Sequence, residues 1–151
     1  MSEVTLKTSM GDITLELYTA HAPKTCDKFA RLARAGQYDG TLFSRVIPGF
    51  VIQGGGGGDT TTTTTSNKGS GEREGELRNG LRHVGKGVVS MVNDTNGEFI
   101  ITLRPTPELD GRYAIFGRVK NGLDVVNRIE NVETRGEAPR EDVRIERAVV
   151  V

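Results

Sequence analysis

The sequence predicts a mainly β fold: a small closed barrel of antiparallel strands with two helices covering its ends. Three observations predict it. Short stretches alternate apolar and polar side chains at period two, turn-forming clusters rich in Gly, Asp, Asn and Pro separate them, and only two stretches carry helical spacing. Many short strands in sequence order, each with one apolar face, bury that face most simply by closing on themselves.

The elements follow in order. Val4–Lys7 and Ile13–Tyr18 alternate around Ser9-Met10-Gly11 and read as a hairpin. Cys26, Phe29, Ala30, Leu32 and Ala33 then recur at helical spacing, with Pro23 in the first turn and Gly36 just past the end. Strand character returns from Leu42 to Ile52, broken at Pro48-Gly49. The run from Gly54 to Gly71, GGGGGDTTTTTTSNKGSG, has nothing to bury and reads as a surface loop, more a low-complexity spacer than a substrate-facing element. Gly87–Asn93 and Phe99–Leu103 are strands joined across Asp94-Thr95-Asn96-Gly97. Tyr113–Val119 follows the turn Leu109-Asp110-Gly111, Leu123–Ile129 is a short amphipathic helix, and Val143–Val151 is a closing strand.

Composition narrows the function. The 151 residues suit a single domain, 1–151, with a substantial core. Twenty basic and 20 acidic residues balance to zero net charge without a long basic run, which argues against nucleic acid as a direct partner. No apolar run approaches the ~20 residues of a membrane span, and the N-terminus has no signal-peptide pattern. The single cysteine, Cys26, points to a reducing compartment, cytoplasmic or nuclear, and reads as a small buried helix residue more readily than as a reactive thiol.

The segment FSRVIPGFVIQGG, Phe43 to Gly55, crowds one arginine, one glutamine and a row of apolar side chains between two glycine-bearing turns. It holds no nucleophile–base pair, no metal-ligand cluster and no phosphate loop. Such a segment can hold an apolar group and direct a fixed cation at it. Taken singly, Arg45 reads as a solvated strand residue, Phe50 and Phe99 as core, and Gln53 or Asn93 as partners of local backbone.

Together these residues carry a resemblance. Phe43–Gly55 is close to the cyclophilin form F-H-R-V-I-P-G-F-M-I-Q-G-G, and Ser90-Met91-Val92-Asn93, Thr95-Asn96-Gly97, Phe99–Leu103, Leu109-Asp110-Gly111 and Ile115–Val119 follow in the same order. The chain thus resembles the cyclophilins, peptidyl-prolyl cis–trans isomerases, over nearly its whole length. The stretches SMGDITLELYTAHAPKTCDKFARLARAGQYDGTLF and ETRGEAPREDVRIERA are similar to the short spliceosome-associated members. The resemblance implies a closed eight-stranded antiparallel β-barrel capped by two α-helices, with the site on the barrel's outer face. It implies that Arg45 is catalytic, that Phe50, Val51, Phe99, Leu109 and Tyr113 wall a proline pocket, and that Gln53 and Asn93 bond the substrate backbone. The implied protein is a monomer that needs no cofactor or metal, acts on proline-containing peptide segments and has spliceosomal proteins as partners.

Several positions depart from the family pattern. Ser44 replaces a histidine, and about three residues of Ala-Gly-Pro type are missing between Asn93 and Thr95. Glu98 falls where glutamine is usual, either pairing with Arg45 or pointing to solvent. Glu108 replaces an aromatic ring, which implies weak cyclosporin binding. These departures keep open a proline-peptide binding module or a docking scaffold with little turnover. The glycine and threonine tracts are also compatible with an engineered member.

Overall fold

The computed structural model of the protein describes residues 2–56 and 76–151. Its strands are β1 (Glu3–Thr8), β2 (Gly11–Leu17), β3 (Thr41–Ile47), β4 (Val51–Gly54), β5 (Val88–Asn93), β6 (Glu98–Thr102), β7 (Ala114–Asn121), β8 (Thr134–Arg135), β9 (Ala138–Pro139) and β10 (Arg144–Val150). Among the described residues, helices α1 (Pro23–Arg34) and α2 (Leu123–Glu130) accompany them. Eight strands close a barrel in the order β1-β10-β3-β4-β6-β5-β7-β2, every pairing antiparallel, and β8 and β9 form a separate small hairpin. The expected architecture is therefore the observed one. The β8–β9 hairpin and a one-turn 3-10 helix at Pro107–Leu109 are additions that periodicity did not show, being too short to carry a pattern.

Period-two alternation places one side of each strand in the lumen. Leu6, Ile13, Leu15, Leu17, Ile52, Val89, Met91, Ile101, Phe116 and Ile145 are fully buried there. Helix α1 closes one end by burying Cys26, Phe29, Ala30 and Ala33. Phe29 meets Tyr38, Phe99 and Phe116 with ring centroids 4.9, 5.6 and 4.9 Å apart. Cys26 is buried as expected, with its thiol against the Phe116 carbonyl oxygen at 3.3 Å. Burial, and next to it the charge of Glu76, pushes that thiol up to about 12, so it stays protonated and inert.

The expected loop from Gly54 begins later than its composition suggests. Gly54 closes β4, and Gly55, at φ 81°, lies so close to the core that an added Cβ would stand 2.6 Å from the Phe99 ring. The rest of that expected loop, from residue 57 to 71, lies outside the described residues.

Helix α1 starts at Ala22, which offers no side-chain cap. A residue 51 positions away from Thr25 supplies it. The buried Glu76 carboxylate accepts the Lys24 N–H at 2.8 Å, the Thr25 N–H at 2.9 Å and the Thr25 hydroxyl at 2.5 Å. A negative charge on exposed amides at a helix N-terminus is favourable twice, through the hydrogen bonds and through the helix dipole. Glu76→Ala should lower unfolding free energy by about 2–3 kcal/mol, measured by urea denaturation. A change of only a few tenths would show that the helix start is held by other contacts.

Candidate functional site

The outer face of β3, β4, β6 and β5 carries a second apolar cluster, separate from the lumen. Val51, Ile100 and Leu109 are buried at its centre, with Ile47, Phe50, Val92 and Tyr113 packed around them. Strand register decides which residues reach this face. Arg45 pairs with Gln53, Gln53 with Ile100, and Ile100 with Ser90, so the four lie in one row across the sheet.

Arg45 joins that row because of a β-bulge. Phe43 and Val46 both point into the core, three positions apart, which strict alternation forbids. The register of β3 against β4 shifts between Phe43 and Arg45, leaving Ser44 as the extra residue. Arg45 is thereby turned outward beside Gln53. Ser44 is exposed at the bulge and lines a neighbouring groove of about 500 Å³ with Gly36, Asp39, Leu42 and Gly56.

The guanidinium is held by two acceptors. Gln53 Oε1 receives Nη1 at 3.2 Å, and Glu137 Oε1 receives Nε at 2.9 Å. Glu137 sits in the turn between β8 and β9, a residue sequence reasoning did not single out. Glu98, by contrast, lies against Gly56, where an added Cβ would come within 3.2 Å of its Oε2. Among the described residues the ion-pair partner of Arg45 is Glu137, not Glu98.

Other expected site residues divide. Val51, Leu109, Phe50 and Tyr113 gather in the outer cluster, and Gln53 borders it. Phe99 does not, and this corrects the sequence reading. It is fully buried in the lumen among Phe29, Tyr38 and Phe43, and its neighbour Ile100 faces the cluster instead. The sequence Phe99-Ile100-Ile101 is apolar on both faces of β6, so alternation could not choose between them. Asn93 turns its side-chain oxygen into its own turn, accepting the Thr95 N–H at 2.9 Å and the Asn96 N–H at 3.4 Å. That leaves only its amide nitrogen for a substrate.

Glu108 bonds Arg104 at 2.9 Å, and this hydrogen bond holds its carboxyl below the usual carboxylate range. Arg104 in turn stands over the Phe50 ring, 5.2 Å from its centroid, at the rim of the cluster.

Beneath the cluster runs a buried polar network that carried no local signal. His83 Nδ1 bonds Asp110 Oδ1 at 2.8 Å, His83 Nε2 bonds Ser90 Oγ at 2.5 Å, and the His83 backbone N–H also reaches Asp110 at 2.7 Å. One tautomer satisfies all three groups: Nδ1–H donates to the carboxylate and Nε2 accepts from the serine hydroxyl. The order Ser–His–Asp is that of a nucleophilic triad, but Ser90 and His83 are sealed from solvent, at 0% and 1% exposure. The network is structural. It ties β5 to the turn that carries Leu109, and so fixes one wall of the cluster.

These features meet known proteins at one point. A family model for the cyclophilin type peptidyl-prolyl cis–trans isomerases matches residues 3–150. The chain belongs to that family, whose members catalyse rotation about the peptide bond preceding proline. It is 48% identical to a peptidyl-prolyl cis-trans isomerase-like 1 of Gibberella zeae, covering 99% of this chain and 95% of that one. It is 47% identical to a peptidyl-prolyl cis-trans isomerase of Schizosaccharomyces pombe over the full length of both. A Cryptosporidium parvum cyclophilin, solved in the presence of the dipeptide Ala-Pro, superposes with a TM-score of 0.85 at 31% identity, covering 99% of this chain and 98% of that one.

Asp110 gives the network a pH signature. Burial acts to raise its carboxyl, but the hydrogen bonds from the His83 backbone and ring outweigh this and hold it below its ordinary value. A carboxyl lowered on folding adds stability above its unfolded pKa and loses it as pH falls through the folded one. The loss should therefore begin below about pH 4. Denaturant melts across that range should show a shallower acid-side slope for Asp110→Asn than for wild type. Parallel slopes would remove Asp110 from the acid response.

Proposed function

We propose that the outer-face cluster seats the proline ring of an X–Pro segment and that Arg45 drives the rotation. One observation carries this reading: the row Arg45–Gln53–Ile100 sets a held guanidinium directly beside an apolar floor. Val51, Ile100 and Leu109 form the floor, while Phe50 and Tyr113 stand at its edges.

The reaction asks for little else. Amide resonance opposes rotation with a barrier of ~18–20 kcal/mol, and an enzyme lowers it by favouring the twisted amide over both planar forms. In the twisted state the prolyl nitrogen becomes pyramidal and its lone pair can accept a hydrogen bond. Arg45 is always charged, planar and rich in donors, and suits that acceptor better than a lysine would. A preorganised donor of this kind contributes about 3 kcal/mol to the transition state. The apolar floor holds the ring still while the preceding carbonyl swings. Gln53 orients the guanidinium and, with the Asn93 side-chain amide, would bond the substrate backbone.

Proline-containing segments of proteins are the substrates this site fits, with cytoplasm or nucleus as the compartment that a single buried cysteine suits. A splicing-type protein partner, as the sequence resemblance implies, would dock away from the groove. Weak cyclosporin binding belongs to the same reading, because Glu108 is occupied by Arg104 and supplies neither an indole donor nor a ring face.

Arg45→Ala should cut kcat/KM for a proline peptide by on the order of 100-fold while leaving the fold intact, read by two-dimensional exchange NMR. Equal rates for the two proteins would end the Arg45 reading. Peptide shifts without exchange peaks in the wild type would favour a binding module, which the shortened turn at Asn93–Gly97 otherwise motivates.

A further inference from the structure

We infer that Glu137 is a positioning residue for Arg45, a role that rests on Arg45 as the donor. The two side chains are about half exposed, at 52% and 47%, and an exposed ion pair as such contributes little to stability. What the pair supplies is orientation. Glu137 Oε1 accepts the Nε–H of Arg45 at 2.9 Å and lies 2.9 Å from Nη2 as its ion-pair partner, while Gln53 Oε1 accepts from Nη1 at 3.2 Å. Two acceptors on different nitrogens fix the plane of a guanidinium that would otherwise rotate about its long stem. The hydrogens they leave on Nη1 and Nη2 remain for a substrate.

Glu137 is itself well placed to do this. The β8–β9 hairpin turns through Gly136, at φ 69°, and Glu137. The Glu137 carbonyl oxygen accepts the Val46 N–H at 2.7 Å, which pins the turn to the strand next to Arg45. The carboxylate therefore reaches Arg45 from a backbone bonded to β3. A hairpin remote from the groove in sequence thus completes it in space, and its effect falls on the transition state, where the direction of the donor matters most. The opposing possibility is that Glu137 competes with substrate for the cation. In that case its removal would speed the enzyme.

Exchange kinetics of Glu137→Ala, Glu137→Gln and Arg45→Ala on one proline peptide separate these cases. Glu137→Ala should lose about fivefold in kcat with KM unchanged. Glu137→Gln, which keeps an acceptor oxygen without the charge, should recover most of that loss. In an Arg45→Lys background, Glu137→Ala should add less than a twofold change, since lysine has no planar fork to orient. Thermal melts matching the wild type would assign the effect to the site and not to folding. If Arg45→Ala is inactive while Glu137→Ala matches or exceeds the wild-type rate, the positioning role is overturned and the Arg45 reading survives. If Arg45→Ala is fully active, the Arg45 reading falls and takes the positioning role with it.

Discussion

The bulge at Ser44 is the constraint on which the rest of the site depends. A strand with Phe43 and Val46 both in the lumen needs one extra residue between them, and that residue turns Arg45 outward. Were β3 regular from Phe43 onward, Arg45 would share the lumen with Phe43, at the large cost of an unpaired buried charge. Once Arg45 is outside, the antiparallel register of β3, β4 and β6 brings Gln53 and Ile100 into line with it. A one-residue slip of any of these strands would send its own member of the row to the opposite face. Core packing therefore does double service. The same Phe43 and Phe99 rings that fill the lumen fix the phase of the strands that present the site.

Long-range polar contacts then make that surface rigid. Glu76 anchors the start of α1, whose Phe29 packs on Phe99. The His83–Asp110–Ser90 network joins β5, which neighbours Ile100, to the turn bearing Leu109. Each buried polar group in that network is matched by a partner, so it braces the structure at little desolvation cost. Glu137 extends the same logic to the exposed cation. Chemistry that only twists a bond needs no nucleophile, but it does need a floor and a donor that hold still.

Much of this was legible from residue types alone, and the failures have physical causes. The first hairpin and both helices showed clear periods, and Pro23 and Gly36 marked the ends of α1. Arg45, Gln53, Phe50 and Val51 could be read together because one short segment carries them. Phe99 was misassigned because β6 is apolar on both faces, and only the register reveals that Ile100 looks outward. The place of Glu98 in the family pattern allows either a pair with Arg45 or a solvent-facing side chain. The true partner, Glu137, lies 92 residues from Arg45 in a hairpin of two-residue strands. Glu76 and His83 escaped notice for the same reason: a carboxylate or a histidine becomes a cap or a brace only through residues far along the chain.

Every role assigned to Arg45 depends on proline sitting on the outer face, against Ile100 and Leu109, and not elsewhere on the barrel. Intermolecular NOEs from the proline ring of a bound peptide to assigned methyl groups test it most directly. A proline seated there gives NOEs to the methyls of Ile100, Leu109 and Val51. Proline NOEs to Leu81, Val84 and Ile115, which line a groove elsewhere on the protein, with none to Ile100, would contradict it.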